Sequence, residues 1–360
     1  MIKRAALVLS GGKAERFQRV PQGWQDKALA LFEGKPLLVY VIENVADVVD
    51  EVIVCVDNNE RRERYFEVLE HYNLRVKIVV DKETNVGGPN AAILTGLKAT
   101  EANYCMITPC DMPFLKPTVV DYLFSLSERG FEVVMPMWPN GVLETLIMIL
   151  QRSIGLEIIQ TLCQLGRPHP SDIPRAATNA LLASPMETIK NLDPTLKSFI
   201  NINTQEDLKK PKTRNLQGPI QQNITLNHGN FLASYLQLVR DADKMQQKNN
   251  FHTAQEQFDL CKKHFKACGN FFWTAMASKC KGEVLLKQLQ QKETSPQTTM
   301  EWAIKYEEAL FDATNNYYNE IKIYKKNHCR RLLERATADK NLIHTLKINA
   351  SKPNHDYLNC

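Results

Sequence analysis

The spacing of apolar and polar positions changes period partway along the chain. In the first 210 residues, short β-branched runs alternate with stretches of three-and-four spacing. Residues 5–9, 51–56, 76–80, 104–107 and 132–135 are apolar almost throughout, which predicts buried strands. Residues 37–46, 61–72, 91–100 and 118–129 carry apolar side chains at helical spacing, which predicts amphipathic helices between those strands. Strand–helix alternation of this kind predicts an α/β unit with a mostly parallel sheet covered on both faces. Ligands of such sheets bind in the loops at the carboxyl ends of the strands, so site residues are expected there.

Residues 209–228 hold Lys209, Lys210, Pro211, Lys212, Gly218 and Pro219 and then a Gln/Asn-rich stretch, which reads as a linker. Beyond it the strand signal fades. Ala254, Phe258, Cys261, Phe265 and Cys268 form one helical stripe, and Trp302, Tyr306, Ala309, Ala313, Tyr317, Ile321 and Tyr324 form another. Gly269 is expected to end the first helix, and Pro296 separates the two. An all-α domain of helical hairpins is predicted over 229–350, with 351–360 as a tail. Ala254, Gln257 and Phe258, like Trp302, Tyr306 and Ala309, repeat a small-and-aromatic spacing that is loosely tetratricopeptide-like, without a 34-residue period. The aromatic stripes are read as core, and Cys261, His264 and Cys268, lacking a fourth ligand, as structural.

Composition adds exclusions. With 44% hydrophobic and 24% charged residues, the 360-residue chain has the balance of a globular protein. No run of 18 apolar residues occurs, so no membrane span is expected. The apolar run at the start ends at Ser10-Gly11-Gly12, too short for a secretory signal. Nine scattered cysteines, an odd number with no CxxC pair, suit a reducing compartment, and a cytoplasmic location is expected. Residues 1–210 hold 23 Lys+Arg against 26 Asp+Glu, and residues 211–360 hold 22 against 14, so the helical half is basic by +8. That charge, which includes Lys322, Lys325, Lys326, Arg330 and Arg331, is read as a solvated face. Nucleic-acid binding is not expected, while a protein partner for the helical half stays open.

Chemistry concentrates in four clusters of the first half. Leu9-Ser10-Gly11-Gly12-Lys13-Ala14-Glu15-Arg16 follows the first strand, where glycines let backbone N–H groups approach an anion and Lys13 and Arg16 add positive charge. Asp26-Lys27-Ala28-Leu29 supplies a lysine able to meet a phosphate. Cys110-Asp111-Met112-Pro113 places a carboxylate at a strand's carboxyl end, where it is suited to hold Mg²⁺ against nucleotide phosphates. Residues 199–208 (FININTQEDL) end a short strand in Asn201 and Asn203, with Thr204 and Asp207 forming a capping-box variant.

In order and approximate spacing, LSGGKAERF, DKAL, GKPL, VGGPNAAILTGL, PCDMP and FININTQEDL resemble the molybdenum cofactor guanylyltransferases and their nucleotidyltransferase relatives over about residues 4–208. The resemblance implies a Rossmann-like nucleotidyltransferase domain over 1–208. It also implies that Leu9, Ser10, Gly11 and Gly12 line the nucleoside triphosphate. Lys13 and Arg16 would face its phosphates, and Lys27 would lie on the phosphate under attack. Asp81 matches the acidic residue at the base or ribose, Asp111 the Mg²⁺ ligand, and Asn201 and Asn203 positions near the acceptor pterin. The implied reaction is attack of the acceptor's terminal phosphate on the α-phosphate of GTP, with pyrophosphate leaving.

The chain departs from the family pattern at several places. The loop from Arg16 to Asp26 is long and holds Pro21, Gly23 and Trp24. Gly88-Pro89-Asn90-Ala91-Ala92 stands where G-P-L-A-G is usual, Cys55 where an asparagine is usual, and Thr145 where a proline is usual. Phosphate and metal positions are kept while base-side positions drift. The alternatives are therefore transfer of another nucleotide such as CMP, another acceptor such as a phosphosugar or cobinamide phosphate, or a degenerate nucleotide-binding scaffold with a helical partner-binding domain.

Overall fold

An eight-stranded sheet organises the first of two compact units, Met1–Leu226 and Asn227–Cys360, in this computed structural model. The structure describes residues 2–12, 14–18, 25–81, 87–212, 216–290 and 295–350, with side chains through 347. Lys13, with Pro21, Gly23 and Trp24 and the 351–360 tail, lies outside the described residues.

Strand β1 (Arg4–Ser10) is followed by a small antiparallel pair, β2 (Leu31–Phe32) and β3 (Lys35–Pro36), and by helix α1 (Leu37–Ala46). Then come β4 (Glu51–Val56), α2 (Asn59–His71), β5 (Lys77–Val80), α3 (Pro89–Lys98), β6 (Tyr104–Pro109) and α4 (Pro117–Ser127). The unit closes with β7 (Val133–Pro136), β8 (Met148–Gln151), α5 (Arg152–Gln164), short α6 (Ile173–Ala176), β9 (Asn179–Ala183), short α7 (Lys190–Leu192) and α8 (Gln205–Lys209), and β10 (Ile224–Asn227). The large sheet runs β10-β9-β7-β8-β6-β1-β4-β5. Strands β5, β4, β1 and β6 are parallel neighbours, β7 pairs β9 in parallel, and β8 runs antiparallel to its partners β6 and β7.

Strand β1 lies between β4 and β6 in this order. The chain leaves it towards β4 and returns to its other side at β6, which opens a crevice outside the carboxyl end of β1. Ala5, Ala6, Leu7 and Val8 are wholly buried there, as a strand covered on both faces requires. Helices α3 and α4 both open with proline at the first turn, where a missing N–H costs nothing.

The segment read as a linker, 209–228, contributes β10 to the large sheet, and the division between the units falls after Leu226, near the end of that strand. Its four-residue strand is exposed or half-buried at three positions, which hides an apolar run from a sequence reading. Strands β8 and β9 also lack a clear strand signature in the sequence. No glycine or proline separates β8 from α5, and the Ala/Leu composition of β9 carries little β-propensity.

The second unit holds α9 (Ser234–Gln247), α10 (Phe251–Ala267), α11 (Phe271–Leu289), α12 (Pro296–Lys326) and α13 (Arg330–Ala350), each packed on the next. Ala254, Phe258, Cys261 and Phe265 are buried on α10, and Tyr306, Ala309, Ala313, Tyr317 and Tyr324 on α12, so both stripes are core. Gly269 ends α10 with a φ of 78°, and Pro296 opens α12. Between the stripes lies α11, buried almost all round, whose lack of a polar face left no stripe to read. Helices of 14 to 31 residues do not divide into the matched pairs of a 34-residue repeat.

His264 stacks on Tyr235 with ring centroids 3.6 Å apart and accepts a hydrogen bond from the backbone N–H of Leu232. Among the described residues no cluster of three or more His, Cys, Asp or Glu side chains is arranged to hold a metal. No described helix is long and apolar enough to cross a membrane. The eight described cysteines are all free thiols. Burial pushes Cys105, Cys261 and Cys329 up to about 12 and Cys163 to about 11.

Candidate active site

Three loops meet at the crevice beyond β1. Leu9 and Ser10 end the strand, and Gly12 follows with a φ of 97°, a left-handed conformation that glycine adopts without penalty. Asp57 follows β4 and accepts a hydrogen bond from the backbone N–H of Gly12 at 3.2 Å. Asp81 follows β5, its N–H bonded to the carbonyl of Val56 at 2.7 Å.

Arg61, in the first turn of α2, ties the first two of these loops to the turn at Asp26. Its buried guanidinium reaches Asp26 at 3.0 Å and Asp57 at 2.7 Å, and donates to the carbonyls of Ser10 at 3.4 Å and Gly12 at 3.3 Å. The Tyr65 hydroxyl, one turn further on, donates to Asp26 at 3.0 Å and lies 2.7 Å from the Ser10 hydroxyl. Asp26 in turn accepts from the N–H of Ala28 at 3.1 Å and so caps the turn that begins at Lys27. The arginine thus fixes both the glycine turn and the lysine's backbone.

Lys27 extends to the carboxylate of Asp111, just past β6, and donates to Asn203 Oδ1 at 3.3 Å. Asn201 Nδ2 lies 3.5 Å from the other Asp111 oxygen, and the carbonyl of Asp111 accepts from the N–H of Ile202 at 2.9 Å. The backbone therefore carries both asparagines to the carboxylate. The predicted capping box holds them in place: Asp207 accepts from the N–H groups of Asn203 and Thr204 at 3.0 and 2.9 Å, while Thr204 accepts from Asp207 N–H. The structure thus joins Lys27, Asp111, Asn201 and Asn203, and places Ser10, Gly11, Gly12 and Asp81 along the same edge. Arg16 is exposed and has no ion-pair partner among the described residues.

Asp81 stands apart electrostatically. Burial, with the Asp57 carboxylate nearby, pushes its carboxyl up to about 6, against a hydrogen bond from Thr95. One of its oxygens, Oδ1, is buried with no partner. Asn201 Oδ1 is likewise buried and unpartnered. The Asp111 carboxylate supplies hard oxygen donors, the type Mg²⁺ takes alongside water and phosphate oxygens, so this residue fits that ion.

Residues 6–183 match the family model described as the MobA-like NTP transferase domain. A probable molybdenum cofactor guanylyltransferase of Methanosarcina acetivorans is 33% identical over 208 residues, 57% of this chain and 88% of that protein. The chain belongs to the MobA-like NTP transferase family. A protein of the same description from Thermococcus gammatolerans is 31% identical over 208 residues, covering 56% of this chain and 96% of its own. Among solved structures, a nucleotidyl transferase from Methanothermobacter thermautotroptrophicus aligns at a TM-score of 0.44 and 16% identity, over 58% of this chain and 95% of that one. The MobA-like unit is a nucleotidyltransferase, and the helical unit lies beyond the residues that the family model matches.

Several MobA-like features were invisible in the sequence. Arg61, Tyr65 and Asp57 sit in a run of charged residues that reads as a solvated helix face, and no spacing rule marks one arginine of three for burial. Asp26 belongs to a motif, yet its part as a cap and ion-pair partner emerges only in three dimensions. The departures from the family pattern also find places. Asn90 is buried and donates to the carbonyl of Arg167 at 2.9 Å, which fastens α3 to the segment that carries the buried Arg167–Asp172–Arg175 ion pairs. Cys55 packs on α3, its sulfur 3.0 Å from where a side chain on Gly96 would begin.

Proposed function

We propose that the MobA-like unit transfers GMP from GTP to the terminal phosphate of a molybdopterin-type acceptor, with pyrophosphate leaving. The observation that carries this reading is the convergence of Lys27, Asp111, Asn201 and Asn203 beside the glycine turn. Phosphoryl-type displacement needs in-line placement and charge neutralisation rather than a side-chain nucleophile. The amides of the glycine turn bind phosphate oxygens, and Lys27, released from Asp111, donates to the phosphate under attack. Arg16, exposed beside the turn, has its charge available to the leaving pyrophosphate. Asn201 and Asn203 orient the acceptor's phosphate. Asp111 would hold Mg²⁺, which when bound neutralises charge on the phosphates.

The unpartnered Asp81 oxygen supports guanine. A carboxylate only accepts hydrogen bonds, and guanine offers N–H donors on two nitrogens, both bonded to C2, along one edge. Binding would give that buried oxygen the partner it lacks.

The test is a thermal-shift series with GTP, CTP, ATP and UTP, each with Mg²⁺, on the intact chain and on Asp111→Ala. GTP at about 100 times its dissociation constant should stabilise the wild type by about 2.7 kcal/mol. The variant should show a smaller shift and no turnover. Stabilisation by CTP alone would replace guanylyl with cytidylyl transfer, and turnover surviving in Asp111→Ala would remove the metal assignment.

A further inference from the structure

The side of α12 turned away from its core carries an apolar stripe. Met300, Ile304, Phe311 and Tyr318 are 61%, 51%, 60% and 51% exposed. At about 100° per residue they fall within about 40° of one another, opposite the buried Tyr306, Ala313, Tyr317 and Tyr324. The stripe is about 27 Å long at 1.5 Å rise per residue. Large apolar side chains aligned on one exposed face mark an interaction surface more often than singly scattered ones do.

Charge along this face is divided by length. Glu301, Glu307 and Glu308 are exposed on its first half, and Lys322, Lys325 and Lys326 on its second. Only part of this charge is matched within the unit: Glu301 pairs with Lys305, Glu307 lies 3.7 Å from Lys347, and Lys322 sits 4.5 Å over the Tyr318 ring. The acidic half would repel an anionic membrane or a nucleic acid, and the basic half would repel a uniformly basic partner. A surface that offers aromatic side chains opposite Phe311 and Tyr318 and the opposite order of charge complements both halves, and the same helix running the other way is such a surface.

We propose that α12 pairs antiparallel with α12 of a second copy of this chain, about a two-fold axis near Asn315. Phe311 of each copy then lies against Tyr318 of the other, and Glu307 and Glu308 of each face Lys322 and Lys325 of the other. The contact is isologous, so it closes as a dimer. This inference rests on the helical unit alone and is independent of the nucleotide reading.

The test is sedimentation velocity of the full chain across a wide range of concentration. The wild type should dimerise, more weakly at high salt because the charge pairs lie at the rim. Phe311→Glu should sediment as a monomer, with helicity by circular dichroism unchanged. Reversing Glu307 and Glu308 to lysine should raise the dissociation constant at least about tenfold, a change of about 1.4 kcal/mol. Reversing Lys322 and Lys325 to glutamate in that same variant should restore dimerisation, since both halves then carry the opposite sign. A wild type that stays monomeric throughout would overturn the proposal. So would a dimer indifferent to Phe311→Glu, or a four-charge variant that fails to recover.

Discussion

Asp81 is a carboxyl held in a place that disfavours its charge. Its folded value of about 6 lies above the ordinary 3.8 because burial and Asp57 both oppose ionisation. The folded state therefore binds this proton more tightly than the unfolded chain does. The resulting stability is fully present below about pH 4 and is lost as the pH rises through 6. Asp81→Asn removes that dependence. Urea midpoints at several pH values should show the variant gaining on the wild type from pH 4 to 7, while GTP-induced stabilisation weakens. Parallel pH curves for the two proteins would mean that Asp81 is solvated. Residue identity at such points was legible in the sequence wherever a motif carried it, as with Lys27, Asp111 and the two asparagines. Arg61 was not legible, because its role depends on four acceptors from three separate loops.

At the scale of elements, the strongly periodic segments were legible and the short mixed ones were not. Helix α1 begins and ends where its apolar spacing does, and β4 coincides with its β-branched run. Strands β8 and β9 escaped because one has no turn residue before the next helix and the other lacks β-branched side chains. Turns in the helical unit show how far one glycine can differ from another. Gly269 has a φ of 78° but open space where a side chain would go, so Gly269→Ala should cost about 1 kcal/mol. Gly229 has a φ of 75° and only 1.6 Å between its would-be Cβ and the carbonyl oxygen of Cys268. Gly229→Ala must move backbone as well, and should cost more than about 3 kcal/mol. Chemical denaturation of both variants, followed by helicity, checks the order; equal losses would mean that the backbone around Cys268 yields freely.

For the whole molecule, the family model matches residues 6–183 and stops short of the helical unit. Residues 1–226 made alone should therefore keep the nucleotide selectivity of the full chain, with dissociation constants by calorimetry agreeing within about threefold. A loss of binding would mean that the helical unit supplies part of the site. The division into two units was legible as a change of period and charge near residue 210, although β10 moved the boundary to Leu226. The buried cysteines carry a practical consequence of that division. Cys55, Cys105 and Cys163 lie in one unit and Cys261, Cys280 and Cys329 in the other, all hidden from solvent. An alkylating reagent reacts with thiolate and needs access, so each sulfur stays unlabelled until its own surroundings open. A timed pulse of reagent read by peptide mass would clock the opening of each unit separately within one chain, with no probe added.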